Sequence, residues 1–280
     1  MWLSSYPKSG NTWLRFFLSN FESFGDAPTD INRLADISAA SRHLFDGVLG
    51  VESSDMIQDE IERYRPWVYR QIAIRAQQPL FLKIHDAYTR TDRGEPLIPA
   101  EASQSAIYLV RNPLDVAISF AHHSALTLNG AIDRMADETF AFSSRPEHMY
   151  MQLKQRLLTW SGHVQSWLDQ DAIAVHVMRY EDMRGEPLET FAGALRFLGM
   201  DTDARRIQRA LNFSSFNVLR DQEKAAGFRE TPSGARAFFR SGRVGEWREV
   251  LTPHQVARVL TDHGAVMRRL GYLSENGNVQ

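Results

Sequence analysis

The N-terminal stretch MWLSSYPKSGNTWLRFFLSNFESF constrains the fold more than any other part of the chain. Its first six residues are aromatic, aliphatic or small and are stopped by Pro7, so they read as a short strand. Apolar residues then recur at Trp13, Leu14, Phe16, Phe17, Leu18 and Phe21, the spacing of a buried helix. The loop between them runs from a strand end into a helix N-terminus, where backbone N–H groups and the helix dipole favour an anion. Gly10 lets the backbone approach a ligand, Ser9 and Thr12 add hydroxyl donors, and Lys8 adds a point charge. The plainer alternative is an ordinary Pro-Lys-Ser-Gly turn with Trp13 in the core. The nucleotide loop G-x-x-x-x-G-K-[ST] places lysine after two glycines, whereas Lys8 precedes Gly10 here.

Further strands are read in PLFLKIH, SAIYLV and AIAVHVMRYEDM. Helices are read in RNPLDVAISFAHH with Pro113 in the first turn, in PLETFAGALRFLGM closed by Gly199, and in TPHQVARVLTDHGAVMRRLGY. Positions 26 to 60 read as helical and polar, with turns near Asp26–Pro28 and Gly47–Gly50. Strands alternating with helices predict an α/β fold with a parallel sheet, and the polar motifs fall at strand ends, where such sheets bind ligands. The chain has 280 residues and no repeat or linker that would split it, so a single domain over 1–280 is expected.

Composition narrows the function. The formal net charge of −2 points to neither a nucleic-acid partner nor an anionic membrane, though it permits a local basic pocket. The absence of cysteine excludes disulfides, cysteine-ligated zinc and a cysteine nucleophile. No segment has the apolar length to span a bilayer, and the first residues lack a signal-peptide pattern, so a soluble, cytoplasmic protein is expected.

Three more stretches carry chemistry. In LVRNPLDVAIS, Arg111 leaves a buried strand and Ser119 follows about two helical turns on. Arg111 either pairs with Asp115 or shares an anion with Ser119. In LKIHDAY, Lys83 and His85 share a strand face, which makes His85 either a structural histidine or a general base. In FFRSGRVGEWREVLTPHQ, Arg240 and Arg243 bracket Ser241-Gly242, either as a solvated turn or as a basic lid.

Taken together and in order, YPKSGNTW, LKIH, VRNPLDVAISFAHH, MRYEDM, SSF and FFRSGRVGEWREVLT resemble the motifs of the PAPS-dependent sulfotransferases of the cytosolic type. PAPS is 3′-phosphoadenosine 5′-phosphosulfate. The resemblance spans Ser5 to Thr252 and suits a bacterial small-molecule enzyme. It implies a P-loop-NTPase-like three-layer fold, a central parallel sheet flanked by helices, with PAPS as co-substrate, 3′,5′-adenosine bisphosphate as product and no metal. It implies that Lys8, Ser9, Gly10, Asn11 and Thr12 hold the 5′-phosphosulfate. Trp13, Tyr180 and Phe216 would frame the adenine, with Ser214 hydrogen bonding nearby. Arg111, Ser119, Arg240 and the Gly242 amide would hold the 3′-phosphate, with Phe239 and Ser241 in the same cofactor-binding motif. His85 would be the general base for a hydroxyl or amine of a small-molecule acceptor. Lys83 and Lys8 would stabilise developing charge.

The chain also departs from that pattern. Asn11 stands where the family often has threonine, and Ser241 where it often has lysine, which weakens one phosphate contact. Arg248 and Thr252 match the family's dimerisation stretch but Pro253 and Ala257 do not, so no dimer is inferred. The N-terminal extension common in the animal enzymes is expected to be absent, and positions 26–75 and 120–160 are expected to shape the acceptor pocket. His122 and His123 read as helix surface or pocket wall rather than a metal site. Two other functions stay open. A P-loop kinase or NTPase would need a magnesium carboxylate, for which Asp86 is the nearest residue. A non-catalytic nucleotide-binding protein would have no use for His85 and Lys83.

Overall fold

The computed structural model describes residues 1–280 except 24, 35, 36, 146, 233 and 275. Phe24, at the end of the first expected helix, therefore lies outside the described residues, as do positions 35, 36 and 146 within the expected pocket stretches. The described chain divides into two compact units: Met1–Tyr6, Asp36–Tyr108 and Arg134–Val177 form the first, and Pro7–Ala35, Leu109–Asp133 and Met178–Gln280 the second.

The first unit opens with β1 (Trp2–Ser5), followed after the return of the chain by α2 (Arg42–Leu49), α3 (Gln58–Arg75) and β2 (Leu82–Ile84). It also holds the start of β3 (Ala106–Val110), the short antiparallel pair β4 (Ala141–Phe142) and β5 (Gln155–Arg156), α6 (Trp160–Leu168) and the start of β6 (Val175–Arg179). The sheet order is β2-β1-β3-β6, with β1 and β2 parallel in the register Trp2–Leu82, Leu3–Lys83 and Ser4–Ile84. Parallel neighbours need crossover connections, which is why strands adjacent in the sheet lie far apart in the chain. All residues of β1 and β3 are buried, as expected of strands covered on both faces. Phe45 of α2, Ile61 and Val68 of α3, and Leu153 form one buried cluster.

The second unit contains α1 (Asn11–Glu22), α4 (Pro113–His123), most of α5 (Leu128–Met135), α7 (Tyr180–Gly185), α8 (Pro187–Phe197), α9 (Ala204–Phe213), α10 (Phe216–Ala226), α11 (Trp247–Val250) and α12 (Pro253–Arg269). The caps follow from the residues. Asn112 Oδ1 accepts from Leu114 N at 3.0 Å, with Pro113 at the first helical position of α4. Thr252 and Gln255 close a reciprocal capping box on α12. α1 packs on α9, and α4 on α11 and α12. Phe16, Leu219, Phe228 and Phe239 join Ile31 and Leu34 in a buried cluster.

The α/β fold with its parallel sheet agrees with the expectation, and the loop 7–10 does join a strand to a helix. Two local expectations differ. Residues 26–34 and 37–41 are not helical, and side chains supply partners there: Thr29 N donates to Asn20 Oδ1 and Ile31 N to Gln222 Oε1, each at 2.8 Å. The strand expected over PLFLKIH is confined to Leu82–Ile84, which leaves His85 just beyond it.

Candidate active site

In the second unit the loop after Pro7 is wound tightly. Lys8 has φ 71° and Gly10 has φ 103°, both in the left-handed region. A Cβ on Gly10 would lie 2.9 Å from Tyr180 Cδ2, so both dihedral and space require glycine there. The N-terminus of α1 has no side-chain cap, and Asn11 and Thr12 start its first turn. Ser9 is fully buried and its hydroxyl has no hydrogen-bond partner. A buried, unpartnered hydroxyl beside an uncapped helix N-terminus fits an anionic ligand group, because leaving it unpaired costs about 1–3 kcal/mol.

Arg111 reaches the same loop from the end of β3. Its Nη1 donates to Lys8 O at 3.3 Å and its Nη2 to Arg243 O at 2.8 Å. Its guanidinium carbon lies 4.4 Å from the Tyr180 ring centroid. The Nε is buried without a partner, and Asp115 Oδ2 stands 4.0 Å from Nη2 as an i,i+4 ion pair. Asp115 also anchors the Gly-x-Trp segment, accepting from Gly245 N at 2.7 Å and Trp247 N at 3.0 Å. Tyr180 packs edge-on against Trp13 and its hydroxyl donates to Gly242 O at 3.0 Å. Gly242 has φ 63°, and a Cβ there would sit 2.7 Å from the Phe216 ring, which itself packs edge-on against Phe239. Lys8, Gly10, Trp13, Arg111, Tyr180, Phe216, Phe239 and Gly242 thus form one connected constellation.

Other expected residues stand differently. Arg240 is held bidentately by Glu246 at 2.8 and 2.6 Å, and this pairing keeps the Glu246 carboxyl below its usual range. Ser214 is buried and its hydroxyl donates to Ala210 O at 2.7 Å within α9, so only its acceptor capacity remains. Ser119 lies half-buried on α4, and Ser241 half-buried in the loop beside Gly242.

The first unit holds Lys83 and His85. His85 Nδ1 lies 2.8 Å from Ser5 O and 3.3 Å from Ser5 Oγ. A carbonyl only accepts, so Nδ1 carries the proton and Nε2 is the basic nitrogen. The main chain around His85 is held from α6. His163 Nε2 donates to His85 O at 3.1 Å, Trp167 Nε1 donates to Asp86 O at 3.0 Å, and Ser166 Oγ accepts from Tyr88 N at 2.9 Å. Tyr108 OH donates to His163 Nδ1 at 2.8 Å, and burial pushes His163 down to about 4, so the ring is neutral. Asp86 is closed off from any metal role. Arg65 grips its carboxylate at 3.0 and 2.6 Å, both residues being buried, and Arg156 N donates to it at 3.0 Å. The magnesium carboxylate required by a kinase reading is therefore committed elsewhere.

Sequence reasoning missed Arg65 and the α6 residues, although Trp160, Val164 and Trp167 with His163 carry the spacing of a buried helix face. It also missed the contact made by His123, whose Nδ1 lies 3.1 Å from Lys8 Nζ. Among the described residues no helix is long and apolar enough to cross a membrane, and no three His, Asp or Glu side chains gather as metal ligands.

Known proteins are similar to this chain in sequence and in fold. Cytosolic sulfotransferase 17 of Arabidopsis thaliana is 22% identical over 277 residues, covering 91% of this chain and 70% of that protein. Sulfotransferase 1A1 of Canis lupus familiaris is 23% identical, covering 96% and 83%. The crystal structure of mouse sulfotransferase SULT7A1 complexed with PAP superposes with a TM-score of 0.60 at 20% identity, covering 97% of this chain and 87% of that one. Retinol dehydratase in complex with androsterone and inactive cofactor PAP gives 0.64 at 17% identity, covering 98% and 82%. The sequence profile of the sulfotransferase domain matches residues 1–271, and the chain belongs to that family.

Proposed function

We propose that this enzyme transfers a sulfuryl group from PAPS to a hydroxyl or amine of a small-molecule acceptor, with His85 as general base, and that residues 1–280 act as one sulfotransferase domain in the cytoplasm. The observation that carries the donor assignment is the loop 7–12, with its buried unpartnered Ser9 hydroxyl, uncapped α1 N-terminus and Lys8. Lys8, Ser9, Gly10, Asn11 and Thr12 would hold the phosphosulfate. Arg111, Ser119 and the Gly242 amide would hold the 3′-phosphate, to which Arg240 would turn by exchanging Glu246 for it. Trp13, Tyr180 and Phe216 would frame the adenine, with Ser214 nearby as an acceptor and Phe239 and Ser241 completing the loop. PAPS supplies an activated sulfuryl group when bound.

In this reading His85 Nε2 takes the acceptor proton while the acceptor oxygen or nitrogen bonds to sulfur. The bond from sulfur to the 5′-phosphate oxygen breaks, and its electron pair stays on that oxygen, where Lys8 meets the charge. Lys83 supports the charge from the acceptor side. Positioning and a fixed positive field carry most of such a reaction. The Ser5 carbonyl keeps the Nδ1 proton in place, so the basic lone pair stays on Nε2.

The test is sulfuryl transfer from labelled PAPS to a panel of phenols, alcohols, sugars and amines. His85→Ala should lower transfer by about a hundred- to ten-thousandfold while 3′,5′-adenosine bisphosphate binding persists. A variant that transfers at the wild-type rate would remove His85 from the role.

A further inference from the structure

Lys8 does not stand alone at the donor loop. Its ammonium lies 3.1 Å from His123 Nδ1 and 4.3 Å from the centroid of the Phe238 ring. His123 in turn packs edge-on against Phe238, with ring centroids 5.9 Å apart. A protonated lysine only donates, so His123 Nδ1 accepts and its proton sits on Nε2. The ring is then neutral. Both of these contacting groups are uncharged. The last turn of α4 thus offers Lys8 a neutral acceptor that fixes its direction.

We infer that His123 is a positioning residue for sulfuryl transfer: through Nδ1 it aims the Lys8 ammonium, with the Phe238 face as the second wall. The inference rests on the reading of Lys8 as the group that meets the leaving oxygen. Its effect is read at the turnover step, where Lys8 meets the leaving oxygen.

A double-mutant cycle between Lys8 and His123 tests it, read as turnover of labelled PAPS with the best acceptor of the panel, or with water as acceptor. His123→Phe keeps a ring against Phe238 and removes the acceptor. It should lower kcat by about 10- to 100-fold, the worth of a hydrogen bond to a charged group, with KM for PAPS within about twofold. His123→Asn places an oxygen where Nδ1 was and should restore kcat to within about threefold, whereas His123→Gln, whose oxygen falls nearer the Nε2 position, should not. In a Lys8→Met background His123→Phe should cause no further loss. If Lys8→Met lowers kcat but the two losses multiply, the positioning role is overturned and the Lys8 reading stands. If Lys8→Met leaves kcat unchanged, both fall. Should His123→Phe not fold, as judged by melting with the bisphosphate, the Asn and Gln variants decide: equal kcat in the two overturns the inference.

Discussion

The two regions expected to meet the acceptor and the donor are built on opposite plans. Next to His85 a set of polar groups is paired, although Ser4 Oγ and Thr89 Oγ1 of the same unit are not: Arg65 grips Asp86, Arg156 N adds a third bond, and His163 and Trp167 donate to the carbonyls of residues 85 and 86. Around the donor loop, Ser9 Oγ, the Trp13 indole nitrogen and Arg111 Nε are buried without partners. Both Gly10 and Gly242 bring backbone within reach of aromatic rings. A base must keep one tautomer and one direction whatever the acceptor, and a closed network serves that. An anion site needs donors still available to the ligand, and the open loop serves that.

Breaking the closed region should cost stability first. Arg65→Ala leaves the Asp86 carboxylate buried without its partner and should cost about 3–5 kcal/mol. At roughly 2–4 °C per kcal/mol the melting point should fall by about 10 °C, seen in a thermal scan. A loss under about 2 °C would show that the pair does not hold the segment.

Acid should probe that region through His163, and the second unit through His263 and Glu246. His163 and His263 are both held at about 4 by burial, below the unfolded value of 6.5. Between pH 6.5 and 4 the unfolded chain therefore binds more protons than the folded one. The stabilisation is present above pH 6.5 and is lost as pH falls through that window, by about 3 kcal/mol for His163. Glu246, held low by Arg240, changes stability in the same direction. Denaturant melts across pH 4.5–7 should be flatter for His163→Gln than for wild type; parallel curves would show that His163 does not titrate this way.

The smallest effect is expected in the open region and with the roles reversed. Ser9→Ala removes a hydroxyl that has no partner in the fold, so melting should change by less than about 2 °C, or rise. Affinity for 3′-phosphoadenosine 5′-phosphosulfate should drop by about tenfold, measured as the Kd for PAPS by calorimetry. A stability loss with unchanged affinity would erase the distinction between the regions.

Much of the donor loop was legible in the sequence because its chemistry is local. Strand, Lys8, Ser9, Gly10 and helix follow within a dozen residues, and Gly10 announces the left-handed turn. Arg111 and His85 were legible as polar residues ending apolar strands. Other features need chain partners far apart. His123 meets Lys8 across 115 positions, and the grip on Asp86 comes from Arg65, 21 residues earlier. The tautomer of His85 depends on Ser5 O, 80 positions away. Asp115, which spacing pairs with Arg111 and which stands 4.0 Å from its Nη2, also caps the main chain at Gly245 and Trp247, a role no local pattern announces.

The central claim is that the donor site recognises a 3′-phosphorylated adenosine nucleotide, and thermal stabilisation tests it most directly. At a hundred times its Kd a ligand stabilises by about 2.7 kcal/mol, or roughly 5–10 °C for a chain of this size. The account predicts that shift with 3′,5′-adenosine bisphosphate and little with magnesium-ATP. Stabilisation by magnesium-ATP with none from the bisphosphate would contradict it.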